Sequence, residues 1–362
     1  MSSVNRDTQI TDFLKAAGWD RAARTPVQGD ASTRRYERLD MNGHKAVLMD
    51  APKGAEAPSE PEGASVDERR KLGYNALARL AGPNMESFAA IANELVIRGF
   101  SAPKIIAADL DLGFMLLEDF GAAVYAKIIA ADAAQERPLY EAATDTLAAI
   151  YRSSFPSVMR YKSHTWRVRD YDEAALLAEM DLCHDWYAKD FGREITADMR
   201  AEFTAVWQQV LPLLAAHPRG LALRDFHAEN LFWLPAREAT AKVGLIDFQD
   251  ALMVHPAYDL MSFITDIRRD VDPALKDDLI ARFCQKSGLK DDADFRAAYA
   301  VLGAQRGTKL LGFPVRADLK FGKPQYRVLL PRVKHHLQDD LCHPALAEVR
   351  AWFEKHIPEA LS

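Results

Sequence analysis

Two stretches limit most what this chain can become: "LALRDFHAENLFWL" at residues 221–234 and "VGLIDFQDALMV" at 243–254. Each is an apolar run interrupted by acids and amides at the point where a core strand would end. Between them, "NLFWLPAREATAKVGLIDFQD" reads as a hairpin of two short apolar strands around a polar loop, beginning and ending on polar side chains. Asp225 and Asn230 stand just before the first strand, and Asp247 stands at the end of the second. Closing the hairpin therefore brings three oxygen-bearing side chains together. Such hard donors suit Mg²⁺, which takes one or two protein ligands and fills the rest of its shell with phosphate and water. A further carboxylate can then orient an attacking hydroxyl, because phosphoryl transfer needs positioning and charge neutralisation more than covalent help. Singly, each residue has an ordinary reading as a turn cap or strand end. The matched set, in order, points to catalysis.

The remaining pattern gives two lobes, since 362 residues exceed one ordinary core. In "DTQITDFLKAAG", Ile10, Phe13, Leu14 and Ala17 recur at helical spacing and Gly18 supplies a stop, so a short helix packs on the first lobe. "TRRYERLD" and "HKAVLMDAP" are strands joined by a tight "MNG" turn. "VQGDAST" before them is able to bring backbone N–H groups to a phosphate. Residues 50–72, rich in Pro, Gly, Ala and acid, read as a flexible surface insertion. A helical stripe of Phe88, Ile91, Ala92 and Leu95 follows, then strands "KIIAAD" and "GFMLLED". From residue 121 the patterns are mostly helical. The expectation is an α+β chain: an N-lobe at 1–120 with a small antiparallel sheet and one main helix, and a mainly helical C-lobe at 121–362. The C-lobe carries the catalytic loop at 223–230 and the metal motif at 246–250.

With 49% hydrophobic and 27% charged residues the composition is that of a soluble globular protein. A net charge of -6 argues against nucleic acid as a partner. Cys183, Cys284 and Cys342 are scattered without a C-x-x-C pair, which favours reduced thiols in a cytoplasmic protein. No signal sequence or membrane-length apolar run is present, and no obligate protein partner is evident.

The D-x-x-x-x-N spacing, the hairpin and the I-D-F ending resemble the catalytic and metal motifs of protein-kinase-like folds. "LALRDFHAENLFWL" with "VGLIDFQDALMVHPAYDLMSF" resembles more narrowly the aminoglycoside phosphotransferase and choline kinase-like family. Within it, "GDASTRRYERL", "VLMDAP", "GFMLLEDFG", "CHDWY" and "DFQDA" are similar to the bacterial cell-wall amino-sugar kinases, over nearly the whole chain. The resemblance implies a two-lobe kinase fold, ATP as co-substrate, Mg²⁺, and a sugar acceptor: the anomeric C1 hydroxyl of N-acetylmuramate or N-acetylglucosamine, in peptidoglycan recycling. It further implies that Asp225 orients or deprotonates that hydroxyl while Asn230 and Asp247 hold magnesium. Glu118, Asp119 and Phe120 fall at the hinge that meets adenine. Gly29, Ser32 and Thr33, with Arg34 beyond them, fall at the phosphate-covering loop. Asp259 falls where the family steadies the catalytic loop from behind.

Two departures stand out. Met49 occupies the place of the strand lysine that neutralises phosphate, leaving Arg34, Arg35 or Lys45 to supply the cation, and Glu86 and Glu94 become helix-surface acids. Leu223 stands where the family carries a histidine. Around the acceptor, His227, Gln249 and Asp250 are candidates for substrate contact, with Trp186 and Tyr187 as a platform for a sugar ring or as core. Two other readings stay open: a kinase of an aminoglycoside, choline or homoserine, and a nucleotide-binding pseudokinase without turnover.

Overall fold

A computed structural model describes residues 3–27, 34–52, 59–80 and 85–362. The N-lobe comprises α1 (Ser3–Ala16), β1 (Ala23–Val27), β2 (Arg35–Met41), β3 (His44–Asp50), α2 (Val66–Leu72), a π-helical turn (Asn75–Arg79), α3 (Met85–Ile97), β4 (Ile105–Asp109) and β5 (Phe114–Glu118). The strands form one antiparallel sheet in the order β1-β2-β3-β5-β4. Strand alternation sorts its side chains. Leu39, Ala46, Leu48, Phe114 and Leu116 face α1, where Ile10 and Leu14 cover them, whereas Met49, Met115 and Leu117 join the main core with Phe88, Ile91 and Leu95 of α3. At the β2–β3 turn, Asn42 (φ 54°) and Gly43 (φ 88°) both adopt the left-handed conformation that lets a two-residue turn follow the strand twist. Strand β1 escaped sequence reading because "ARTPV" is exposed throughout and Pro26 lacks an N–H; an edge position tolerates both.

The expected flexible insertion at 50–72 is corrected over its described part. Asp50 ends β3, Ser65 and Glu68 form a capping box, and α2 follows. Arg69 is buried, donating to Asp172 at 2.6 and 3.2 Å and to the carbonyls of Ala76 and Leu77. Arg169 and Arg167 of the C-lobe pair with Glu60 and Glu62. The charges that suggest solvation instead find partners far along the chain, and they fasten this segment to the C-lobe.

The C-lobe holds α4 (Tyr125–Ala131), α5 (Glu136–Arg152), α6 (Glu173–Leu182), α7 (Ala197–Val210), α8 (Ala257–Ile264), α9 (Leu275–Ser287), α10 (Ala293–Phe321), α11 (Leu330–Leu341) and α12 (Ala347–His356). Its β structure is three two-stranded pairs. Strands β6 (Val158–Tyr161) and β7 (His164–Arg167) make a hairpin; β8 (Gly220–Ala222) pairs with β11 (Leu252–Val254), and β9 (Leu231–Trp233) with β10 (Val243–Leu245). The sequence marks β9 and β10; the outer pair, three residues a side, is too short to show a period. Together they set the loops 223–230 and 246–251 side by side, because Leu231 opposes Leu245 and Ala222 opposes Leu252.

The lobes join along the hinge. Ser101 bridges to Gly244, its carbonyl accepts Leu245 N–H at 2.7 Å, and its hydroxyl donates to Ala241 O at 2.5 Å. Arg237 links Ser101 to the Glu118 carboxylate. Among the described residues no helix is long and apolar enough to cross a membrane.

Candidate active site

Two residues with side chains adopt left-handed backbone at the two critical loops: Arg224 (φ 71°) and Asp247 (φ 61°). Such a conformation costs about 1–3 kcal/mol and persists only where the surroundings impose it. At Arg224 they do so from two sides. The Asp259 carboxylate on α8 accepts Leu223 N–H at 2.6 Å and Arg224 N–H at 2.9 Å. Burial pushes the Asp259 carboxyl up, to about 7, while the two N–H donors pull the other way. The Arg224 guanidinium runs into the interior, to Glu179 of α6 at 2.5 Å and to the Arg79 carbonyl at 2.6 Å. Burial would raise the Glu179 carboxyl, but Arg224, Lys309 at 2.9 Å and the Tyr171 hydroxyl overcome it and bring it down to about 2. The loop is thus pinned on both flanks, and Asp225 stands half-buried at its bend.

Asn230 ties the loops together. Its amide nitrogen lies 2.9 Å from Asp225 O, 3.0 Å from His227 Nε2 and 3.4 Å from Asp247 Oδ2. An amide has two N–H donors, so the first two contacts commit them and Oδ1 is the atom left for a cation. Accepting at Nε2 places the His227 proton on Nδ1, which is buried without a partner. Burial, with Arg268 and Arg306 nearby, holds the His227 ring well below its ordinary pKa, so it is neutral. Its place is behind Asn230.

Asp247 has 43% of its side chain accessible, with protein packed densely on its other sides. Burial and then the Asp225 carboxylate raise its pKa, against the pull of Gln249, whose amide donates at 2.8 Å. Arg34 approaches to 4.0 Å with only 9% of its side chain exposed. An amide oxygen and a carboxylate, beside a second carboxylate whose charge repels the first, are a donor set that fits Mg²⁺.

The other sequence-derived candidates separate clearly. Met49 is buried opposite Met115, so the strand offers no charge there, and Arg35 and Lys45 are exposed. Of the three cations considered, Arg34 is the one beside Asp247. Gly29, Ser32 and Thr33 lie outside the described residues. The Glu118 side chain is taken by Arg237, Asp119 is held by Arg38 of β2 at 2.9 Å, and Phe120 packs on Phe232 under Arg237. The side chains of this hinge are thus committed within the protein, and the Glu118 N–H donates to Lys104 O at 2.9 Å. Gln249 and Asp250 are buried beside Asp247, and Asp250 is gripped by Arg79 at 2.6 Å. The aromatic platform is corrected for Tyr187, which is fully buried with its hydroxyl donating to Glu359 O near the C-terminus; Trp186 packs half-buried on the same core. Glu94 pairs with Arg98, but Glu86 is not a surface acid, since one of its oxygens is buried without a partner. Arg79, Glu179 and Arg224 were missed: no local pattern marks them, although an arginine beside an aspartate inside an apolar run asks for a buried acid.

Comparison with known proteins decides the family, because the sequence pattern of the phosphotransferase enzyme family matches residues 23–299. The chain belongs to that family. It is 40% identical, over 98% of its length and 98% of the relative's, to the N-acetylmuramate/N-acetylglucosamine kinase of Caulobacter vibrioides. Among solved structures it is similar to a choline/ethanolamine kinase family protein from Mesorhizobium loti, with a TM-score of 0.57 at 15% identity over 97% of this chain and 99% of that one. An ADP-bound aminoglycoside phosphotransferase gives 0.54 at 11%, over 93% and 97%. At such identities these two likenesses speak for the fold alone: this phosphotransferase has a protein-kinase-like architecture, an antiparallel β N-lobe on a mainly helical C-lobe.

Proposed function

We propose that this phosphotransferase is an ATP- and Mg²⁺-dependent kinase of amino sugars, transferring the γ-phosphoryl group to the anomeric C1 hydroxyl of N-acetylmuramate or N-acetylglucosamine in cytoplasmic peptidoglycan recycling. The observation that carries the reading is the convergence of Asp225, Asn230 and Asp247 on two adjoining strained loops, in a chain that aligns end to end with a kinase named for those sugars. Asp225 accepts the proton of the acceptor hydroxyl and aims it at the γ-phosphorus. Asn230 Oδ1 and the Asp247 carboxylate would hold magnesium, which neutralises phosphate charge when bound. His227, neutral, fixes the Asn230 amide. Arg34, in place of the absent strand lysine, supplies a fixed cation to the phosphates, and the hinge backbone at Glu118 and Phe120 takes adenine. Gly29, Ser32 and Thr33 take a part in phosphate binding by family resemblance alone.

The test is an Asp225→Asn variant assayed with ATP and each sugar, with calorimetric titration of ATP and NMR of the wild-type product. Turnover should fall by about 10²–10⁴-fold, the usual worth of a positioned proton acceptor. ATP affinity should be retained, and the product should carry phosphate on C1. Near-normal turnover by the variant would remove Asp225 from the reaction; a phosphate on another carbon would refute the anomeric assignment; and a wild type that turns over neither sugar would overturn the acceptor.

A further inference from the structure

Next to Asp225 the structure builds a cationic wall that the phosphoryl-transfer chemistry does not use. The Arg224 guanidinium reaches the Arg79 carbonyl, and the Arg79 guanidinium reaches back to Asp250, three residues beyond Asp247. The π-helical turn Asn75–Arg79 therefore lies against both active-site loops. Tyr74 opens that turn, and the Arg316 guanidinium of α10 lies over its ring at 5.1 Å from the centroid. Arg79, Arg224 and Arg316 are all within electrostatic reach of the Tyr74 hydroxyl.

The acids of this wall go to three of its four cations, Arg79, Arg224 and Lys309. Glu179 is shared by Arg224 and Lys309, and Asp250 is taken by Arg79. Arg316 is half-buried, rests on Tyr74 and Phe321 and has no carboxylate partner among the described residues. A guanidinium spread over aromatic rings and lacking an anion is a ready receptor for a carboxylate, by fork geometry and charge. A second observation also points to a ligand here. Asp250 keeps 8% of its side chain exposed, yet its Oδ1 is buried without a hydrogen-bond partner. Such an acceptor costs free energy unless something donates to it, as a sugar hydroxyl or amide N–H would.

We propose that Arg316, seated on Tyr74 beside the Arg79–Asp250 pair, is the specificity residue of the acceptor site and binds a carboxylate carried by the sugar. The carboxylate is the group that distinguishes N-acetylmuramate, with its lactyl ether, from N-acetylglucosamine. The assignment rests on the amino-sugar reading above. It gives the segment 59–80 a purpose beyond packing: that segment brings Tyr74 and Arg79 from the N-lobe to the acceptor side of Asp225.

The experiment compares both sugars in wild type, Arg316→Met and Arg316→Lys. Methionine keeps an unbranched stem over Tyr74 and removes the charge. For Arg316→Met the ratio of kcat/KM for N-acetylmuramate to that for N-acetylglucosamine should fall by about 10- to 100-fold, the worth of one charge-assisted hydrogen bond. The change should lie in KM, and Arg316→Lys should recover part of it. Added salt should raise the wild-type KM for the acidic sugar alone, since only that contact is ionic. An unchanged ratio, or equal losses with both sugars, would overturn the assignment and leave Arg316 a packing residue. Wild-type protein inactive on both sugars would instead overturn the amino-sugar reading, and this assignment with it.

Discussion

Asp259 Oδ1 accepts the backbone N–H of Arg224 at 2.9 Å while Oδ2 accepts that of Leu223 at 2.6 Å, so one carboxylate on α8 dictates the backbone of the loop that bears Asp225. An asparagine offers one acceptor and turns an N–H donor toward one of those N–H groups. Asp259→Asn should cost about 1–3 kcal/mol of stability, the penalty for a buried donor left unpaired. It should also lower kcat more than it weakens ATP binding, because the displaced residue is Asp225. Urea unfolding with steady-state kinetics checks both, and unchanged kcat would show that the loop keeps its shape without Asp259.

Glu179 is the single buried acid that serves Arg224 and Lys309 together. Glu179→Leu strands a guanidinium in the interior, and removing one partner of a buried pair costs about 3–5 kcal/mol. The variant should show a correspondingly lower urea midpoint, or fail to fold at 37 °C. Because the Glu179 carboxyl is held down to about 2, its contribution is present at neutral pH and fades only as pH falls below the ordinary carboxylate range toward 2.

Asp340 behaves in the opposite way. Burial raises its carboxyl to about 8, with Lys276 lowering it only in part, and one oxygen has no partner. The native protein keeps this proton between about pH 4 and 8 while the unfolded chain releases it, so stability falls as pH rises, by at most ~1.4 kcal/mol per unit. Asp340→Asn removes that slope. Urea midpoints at pH 5 and pH 8 should differ less in the variant than in the wild type; an unchanged difference would mean that Asp340 does not titrate in this range.

Gly312 of α10 meets the backbone of Leu182, where α6 runs into the π-helical turn Cys183–Ala188, so closely that a Cβ would collide with the Leu182 carbonyl. Since the obstacle is backbone, the helices must part. Gly312→Ala should cost about 1–3 kcal/mol, as overpacking does, despite alanine's better helix propensity. A thermal melt checks the sign: a stabilised variant would show that the contact relaxes freely.

His227 donates nothing to the cleft and holds Asn230 by its ring nitrogen at 3.0 Å. On the proposed role of Asn230 as a magnesium ligand, His227→Ala should raise the half-saturating Mg²⁺ concentration for activity by about 10- to 100-fold, the usual worth of a residue behind a metal ligand. Titration of activity against Mg²⁺ measures it, and an unchanged midpoint would show that Asn230 is held without His227.

The features legible in the sequence were those whose cause is local. The apolar spacing of Ile10, Phe13 and Leu14 marked α1, and the Asn42–Gly43 turn marked the β2–β3 hairpin. Residues 225, 230 and 247 were legible because a short hairpin both separates and unites them, so spacing along the chain translates into distance. Reading failed where the cause was remote. Arg69 and Asp172 are 103 residues apart, Arg79 and Asp250 are 171 apart, and Glu179 and Arg224 are 45 apart. Before folding, nothing local names the partner of any of them. The sequence by itself therefore determined the elements and the convergence of residues 225, 230 and 247, because period and turn chemistry act over a few residues. Only the tertiary structure decided that an apparently loose acidic segment docks on the C-lobe, because a buried ion pair exists only once both partners have left water together.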